Sequence, residues 1–136
     1  MALWVMLPLC GLGIVLADDD ADNAEMLAEL LILRGAKVRT ARNGLEVLEL
    51  VSSCTPDALL LDIAMPGIDG YELVSRLRSA PETSSAFILA VTAREMSMDS
   101  ERSFAAGFDA HILKPIDGDA LVDLLSARRL PRAPRD

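Results

Sequence analysis

The stretch Ile14-Val15-Leu16-Ala17-Asp18-Asp19-Asp20 runs from four apolar residues straight into three acids. Three readings of it compete. Residues 1–17 carry no charge, so hydropathy allows a signal peptide, with Val15 and Ala17 as the small residues before cleavage. It also allows a minimal membrane span, whose lower limit is roughly 17 residues. Against both, no Lys or Arg precedes the apolar run, and Pro8, Gly11 and Gly13 interrupt it. The third reading is a buried β-strand over Ile14-Val15-Leu16-Ala17, and the rest of the chain favours it, since periodicity alone does not decide so short a run. Residues 1–11 are then an apolar lead-in, a linker or an extra packing segment, to which the sequence assigns no role.

Outward from that strand, four more short apolar runs follow. They are Val38-Arg39-Thr40-Ala41, Ala58-Leu59-Leu60-Leu61, Phe87-Ile88-Leu89-Ala90-Val91 and Ala110-His111-Ile112-Leu113. Helical patterns separate them. The first helix starts near Asp22, turns Met26, Leu27, Leu30 and Leu31 inward, and stops at Gly35, a residue that tolerates left-handed geometry. The second is capped by Asn43 and buries Leu45, Leu48 and Val51 before Pro56. The third runs from about Gly70 to Arg78 with Leu73, Val74 and Leu77 inward. A weakly patterned fourth spans 98–106 and ends at Gly107. The fifth, from about Asp117 to Arg128, carries Leu121, Leu124 and Leu125. Strict strand-then-helix order implies right-handed crossovers and a parallel sheet. Runs one, three and four are uniformly apolar, as strands buried on both faces must be. Arg39, Thr40 and His111 send runs two and five to the edges. The expected fold is therefore α/β: a flavodoxin-like, doubly wound, five-stranded parallel sheet of order 2-1-3-4-5, with helices on both faces.

Composition bounds the function. The 136 residues are 51% hydrophobic and 25% charged, enough for one domain with a core. A net charge of −8 argues against direct nucleic-acid binding, and 4% aromatics leave no stacking platform for single strands. Cys10 and Cys54 form neither a disulfide scaffold nor a CxxC motif, and the single histidine leaves no His-rich metal site. No membrane association is expected, and a cytoplasmic setting is.

Polar residues follow the apolar runs with a shared placement. Asp18 and Asp19 follow the first run, Asp62 ends the third, Thr92 follows the fourth and Lys114 ends the fifth. Each has an ordinary explanation alone: a helix cap, a turn hydroxyl, a solvated lysine. Those explanations do not account for one common rim of the sheet. Clustered carboxylates repel one another unless a cation sits among them. Oxygen donors with open positions suit Mg²⁺ better than a Ca²⁺ cage. A lysine opposite a metal suits a phosphoryl group, and a threonine hydroxyl can donate to a phosphoryl oxygen. The set reads as metal-assisted phosphoryl transfer to a carboxylate nucleophile.

At this point the quoted strand-and-acid stretch, Asp62-Ile63-Ala64-Met65-Pro66-Gly67-Ile68-Asp69-Gly70, Val91-Thr92-Ala93 and Lys114-Pro115 together resemble the CheY-like receiver domain of two-component response regulators. The resemblance covers about residues 12–128. It implies that Asp62 is the phosphoacceptor and that Asp19 ligates Mg²⁺ directly, Asp18 through water, and Asp62 and the backbone carbonyl of Ala64 alongside them. It implies that Lys114 pairs with the phosphoryl oxygens, that Thr92 moves towards them, and that small Ala93 leaves them room. A signal would then pass to the surface of the fourth helix, fifth strand and fifth helix. The resemblance also implies that the domain catalyses only its own phosphorylation and dephosphorylation and is not an enzyme in the usual sense.

Two departures stand out. His111 occupies the place of the family's switch aromatic, where a plain edge-strand histidine is the competing explanation. Ala64 and Arg94 stand at positions that tune phosphoryl lifetime in the family. The implied partner is a histidine kinase or a histidine phosphotransfer protein, with a downstream effector or a kinase domain in cis, and a homodimer is allowed. The chain reads equally as a stand-alone receiver or as the receiver part of a hybrid kinase. Residues 129–136 form a basic, proline-broken tail. Two other classes compete. An aspartyl-nucleophile phosphatase or phosphotransferase of the haloacid-dehalogenase type would need an acid where Ala64 stands. A phosphorylation-independent interaction module would not need the intact set of Asp18, Asp19, Asp62, Thr92 and Lys114.

Overall fold

The five apolar runs all become strands. In the computed structural model, which describes residues 7–63, 65, 67–92 and 105–128, they are β1 (Gly13–Ala17), β2 (Lys37–Ala41), β3 (Ala58–Asp62), β4 (Phe87–Thr92) and β5 (Ala110–Leu113). Every pairing is parallel and the order is β2-β1-β3-β4-β5, as the edge residues require. Among the described residues, four helices connect or follow them: α1 (Ala21–Leu33), α2 (Gly44–Ser53), α3 (Gly70–Ser79) and α4 (Gly118–Arg128). The helix expected over 98–106 lies outside the described residues except for 105 and 106. So do residues 1–6, Ala64, Ala93, Arg94 and the tail 129–136.

Burial on both faces explains the apolar composition of β1, β3 and β4. Alternate residues enter two cores. Ile14, Leu16, Ala58, Leu60, Phe87 and Leu89 pack with α1 and α4, whereas Val15, Ala17, Leu59, Leu61, Ile88 and Ala90 pack with α2 and α3. Each fully buried leucine or isoleucine contributes about 1.5–3 kcal/mol. The lead-in adds to the first core. Leu9 is fully buried there, and its N–H donates to Arg34 O at 2.9 Å. Gly35 permits that approach: its φ is +103°, and a Cβ would lie 2.8 Å from the Cys10 backbone.

The inward faces of two helices differ from expectation. Met26 of α1 is 66% exposed, and Ala24, Ala28 and Leu31 are the residues buried. On α2, Leu45 is 63% exposed, while Gly44, Val47 and Val51 are buried. Both sequences are apolar around much of the helix, so periodicity does not single out one stripe. Small residues let these helices approach the sheet, and the leucines move to the seams. Leu27 and Leu48 are only partly buried, and a Cβ on Gly118 of α4 would lie 2.4 Å from Leu30 Cδ2. The faces of α3 and α4 follow the sequence pattern, with Leu73, Val74, Leu77, Leu121 and Leu125 buried.

A largely buried clamp holds the sheet edge remote from the acids. Arg78, near the end of α3, pairs with Asp109 at 2.6 Å. Its Nε donates to Gly107 O at 2.8 Å, and its Nη1 to Ala86 O at 2.6 Å and Ser84 O at 3.2 Å. Asp109 Oδ2 also accepts the Ile88 N–H at 2.9 Å. One guanidinium thereby joins α3, the start of β4 and the entry to β5.

Candidate functional site

Parallel strands all point their carboxyl ends the same way, so whatever follows each apolar run gathers at one rim. Asp18 leaves β1, Asp62 closes β3, Thr92 closes β4 and Lys114 leaves β5. The switch point lies between β1 and β3, where the chain runs to β2 on one side and β4 on the other.

The geometry there is close. Lys114 Nζ donates to Asp62 Oδ2 at 2.9 Å and to Asp18 Oδ2 at 3.4 Å. Carboxylate oxygens of Asp18, Asp19 and Asp62 lie within 4.8 Å of one another. Asp62 is 5% and Asp18 7% exposed, while Asp19 faces solvent. Thr92 is 2% exposed, and its Oγ1 has no hydrogen-bond partner among the described residues. The Lys114 N–H donates to Thr92 O at 2.7 Å, so the lysine backbone is tied to the end of β4. His111 is exposed on β5, paired in register with Ala90, on the sheet face that also carries Thr92. Ala64 and Ala93, also expected at the site, lie outside the described residues.

Asp20 has a role that the sequence analysis did not assign. It is the N-cap of α1, accepting from Asp22 N at 3.1 Å and Asn23 N at 3.2 Å. Its own N–H donates to Asp18 Oδ1 at 2.9 Å. An acid immediately before a helical pattern was the available signal. The helix start and the buried acid are thus built by one turn.

Electrostatics follow from burial. Desolvation pushes the Asp18 carboxyl above its ordinary pKa, and the Asp62 charge adds to this. The Asp20 N–H and the Lys114 ammonium pull the other way without cancelling it. Burial disfavours the Lys114 cation, but its bonds to Asp62 and the charges of Asp62 and Asp18 outweigh that and raise its pKa. Three carboxylates face one ammonium here, so a divalent ion matches the excess negative charge. The all-oxygen donor set fits a hard cation such as Mg²⁺.

The sign of the Asp18 shift yields a prediction. A carboxyl whose folded pKa is raised stabilises the fold below its unfolded pKa and loses that contribution as pH rises through the folded value. As pH rises towards neutral, the buried Asp18 therefore costs stability in metal-free protein. Asp18→Asn is expected to raise the Tm by a few degrees at pH 7, with the gain shrinking on acidification. A lower Tm in the variant at pH 7 contradicts this reading.

Comparisons with known proteins agree with this geometry. The family described as the response regulator receiver domain matches residues 14–126. Among relatives, the response regulator MprA of Mycobacterium ulcerans (strain Agy99) is 38% identical over 116 residues, 85% of this chain and 48% of that protein. The chain thus spans about half of that relative's length. A solved putative response regulator from Chloroflexus aurantiacus J-10-fl superposes with a TM-score of 0.80 at 36% identity, covering 87% of this chain and 97% of that one. The receiver domain of the sensor histidine kinase PA1611 from Pseudomonas aeruginosa PAO1 gives 0.78 at 25% identity, over 87% and 97% of the two chains. That structure holds a magnesium ion coordinated in its active site cleft.

Proposed function

As the chain belongs to the response regulator receiver domain family of two-component signalling, we propose that Asp62 accepts a phosphoryl group from a histidine kinase or histidine phosphotransfer protein. The observation that carries this reading is the buried Asp62 carboxylate at the end of β3, 2.9 Å from Lys114 Nζ and grouped with Asp18 and Asp19.

An Asp62 oxygen attacks phosphorus, forming an acyl phosphate. The bond from phosphorus to the donor's imidazole nitrogen breaks, and the electron pair leaves with the imidazole. With acetyl phosphate the broken bond is P–O and acetate departs. Lys114 Nζ, 2.9 Å from Asp62 Oδ2, holds the attacking carboxyl in place. The incoming phosphoryl group brings about −1.5 to −2 charges at neutral pH. Lys114 meets that charge as a point cation, and the Thr92 hydroxyl donates to a phosphoryl oxygen. Asp18, Asp19 and Asp62, with the backbone carbonyl of Ala64, would hold Mg²⁺, which supplies further positive charge for the phosphoryl oxygens when bound. A magnesium ion in the related PA1611 receiver domain supports that assignment.

Thr92 also offers a route outward. Its carbonyl accepts the Lys114 N–H, and it pairs in register with Leu113 of β5. Movement of Thr92 would shift β5, where His111 and Leu113 are exposed, and with it the surface next to α4. His111 sits at the family's switch position, and the same surface would meet an effector, a kinase domain in cis or a second copy. To be useful as a switch, the phosphorylated state must favour one conformation by a few kcal/mol. Among the described residues no helix is long and apolar enough to cross a membrane.

Acetyl phosphate with Mg²⁺ tests the reading. The chain is expected to take up one phosphoryl group, and excess chelator is expected to stop uptake. Unchanged uptake in chelator would overturn the metal-holding roles of Asp18 and Asp19.

A further inference from the structure

A glycine that opens α2 and an isoleucine between β3 and α3 have a relation that the phosphoacceptor reading does not use. Gly44 is the first residue of α2, following the N-cap Asn43. Its φ is not in the left-handed region, which among the described glycines is reserved to Gly11, Gly35, Gly67 and Gly107. Conformation therefore does not call for glycine here, and alanine would favour the helix. Space does call for it. A Cβ on Gly44 would lie 1.9 Å from Ile68 Cγ2, 3.4 Å from Ile68 Cβ and 3.5 Å from Leu73 Cδ2. Ile68 Cγ2 branches directly from Cβ, so it cannot swing clear unless χ1 changes or the backbone moves.

Both partners are tied to the pocket. On the α2 side, Asn43 Oδ1 accepts the Glu46 N–H at 2.9 Å, and Glu46 Oε1 accepts the Arg42 N–H at 2.8 Å. One residue earlier, Ala41 O accepts the Asp18 N–H at 3.0 Å. On the other side, Ile68 belongs to the loop that leaves Asp62. That loop is pinned at its start by Ile63 N–H to Val91 O at 3.1 Å. At its end Asp69 caps α3, accepting from Tyr71 N at 2.7 Å. Between these ends, Ile68 lies against Gly44.

We infer that Gly44 and Ile68 are positioning residues: their contact holds Ile68, just before the cap of α3, against α2 and sets how well the pocket takes up phosphate. The inference rests on the phosphoacceptor reading. A displaced Ile68 alters the loop's path beside Asp62 while leaving every acid, Thr92 and Lys114 in the chain.

The test uses the full chain, acetyl phosphate as donor and a Mg²⁺ titration. Gly44→Ala is expected to slow uptake by about tenfold, since an ångström of misplacement costs up to about 10²-fold. It is also expected to raise the half-saturating Mg²⁺ concentration, and to lower the Tm by several degrees at most, since overpacking is destabilising. In an Ile68→Ala background, where Cγ2 is gone, adding Gly44→Ala should change the rate less than about twofold, because contacting residues couple. Uptake by Gly44→Ala at the normal rate overturns the inference, as does a slowing that persists in full in the Ile68→Ala background. Should Gly44→Ala fail to fold, Ile68→Ala alone decides: a raised Mg²⁺ requirement supports the contact's role, and an unchanged rate and requirement overturn it. Absence of uptake by the unsubstituted chain would instead remove the phosphoacceptor reading itself.

Discussion

Replacing Asp62 with asparagine is expected to reduce phosphoryl uptake from acetyl phosphate or a cognate kinase below detection, at least about 10³-fold. The amide's lone pair is delocalised, and it carries no charge to attack phosphorus. This removes the nucleophile itself, and losses of that kind exceed those from removing a positioning or charge-stabilising group. The fold should survive, because asparagine keeps the shape of aspartate and Lys114 retains Asp18 as a partner at 3.4 Å. Incorporation of acid-labile phosphate, measured beside a circular dichroism spectrum, checks both halves. Full incorporation by a folded Asp62→Asn variant would defeat the assignment.

The largest stability loss is expected from Arg78→Ala. Arg78 and Asp109 are both largely buried, so the substitution strands a carboxylate away from water. It also takes the guanidinium donor from the carbonyls of Gly107, Ala86 and Ser84. Breaking such a pair costs about 3–5 kcal/mol. For a chain of this size that is a fall in Tm of roughly 10–20 °C. Arg78→Lys should recover less than half of the loss, since one ammonium cannot span the fork that serves these partners. Gly107 belongs to the same device: its φ is +124°, and a Cβ would lie 2.7 Å from Arg78 Cγ. Thermal or urea unfolding of the two variants measures the effect, and a loss below about 1 kcal/mol for Arg78→Ala would show that the clamp is not a stability element.

The sheet and its acidic rim were legible because their signals are local. Each strand is a short apolar run, and a polar residue marks its carboxyl end, so Asp18, Asp62, Thr92 and Lys114 could be placed before any coordinates. Arg39, Thr40 and His111 similarly marked the edges, because a polar side chain is costly between two helix layers. What escaped was relational. Met26 and Leu45 misled because α1 and α2 are apolar on several sides, and the burial of Ala24, Ala28 and Gly44 depends on how closely a helix approaches the sheet. Arg78 and Asp109 are distant in sequence and pair only once β4 and β5 lie side by side. Leu9 is buried in a stretch with no periodicity. Gly44 looked like the residue after a cap, and the reason for glycine there lies in Ile68 of another loop.

In the proposed function, one carboxylate at the end of β3 carries the phosphate, served by acids and a lysine from other strands. Peptide mapping of the acetyl phosphate-treated chain, after borohydride reduction of the acyl phosphate, tests it directly. A single modified site is expected, at Asp62, formed only with Mg²⁺ present. Modification at Asp18, Asp19 or a serine or threonine, with Asp62 untouched, would contradict it.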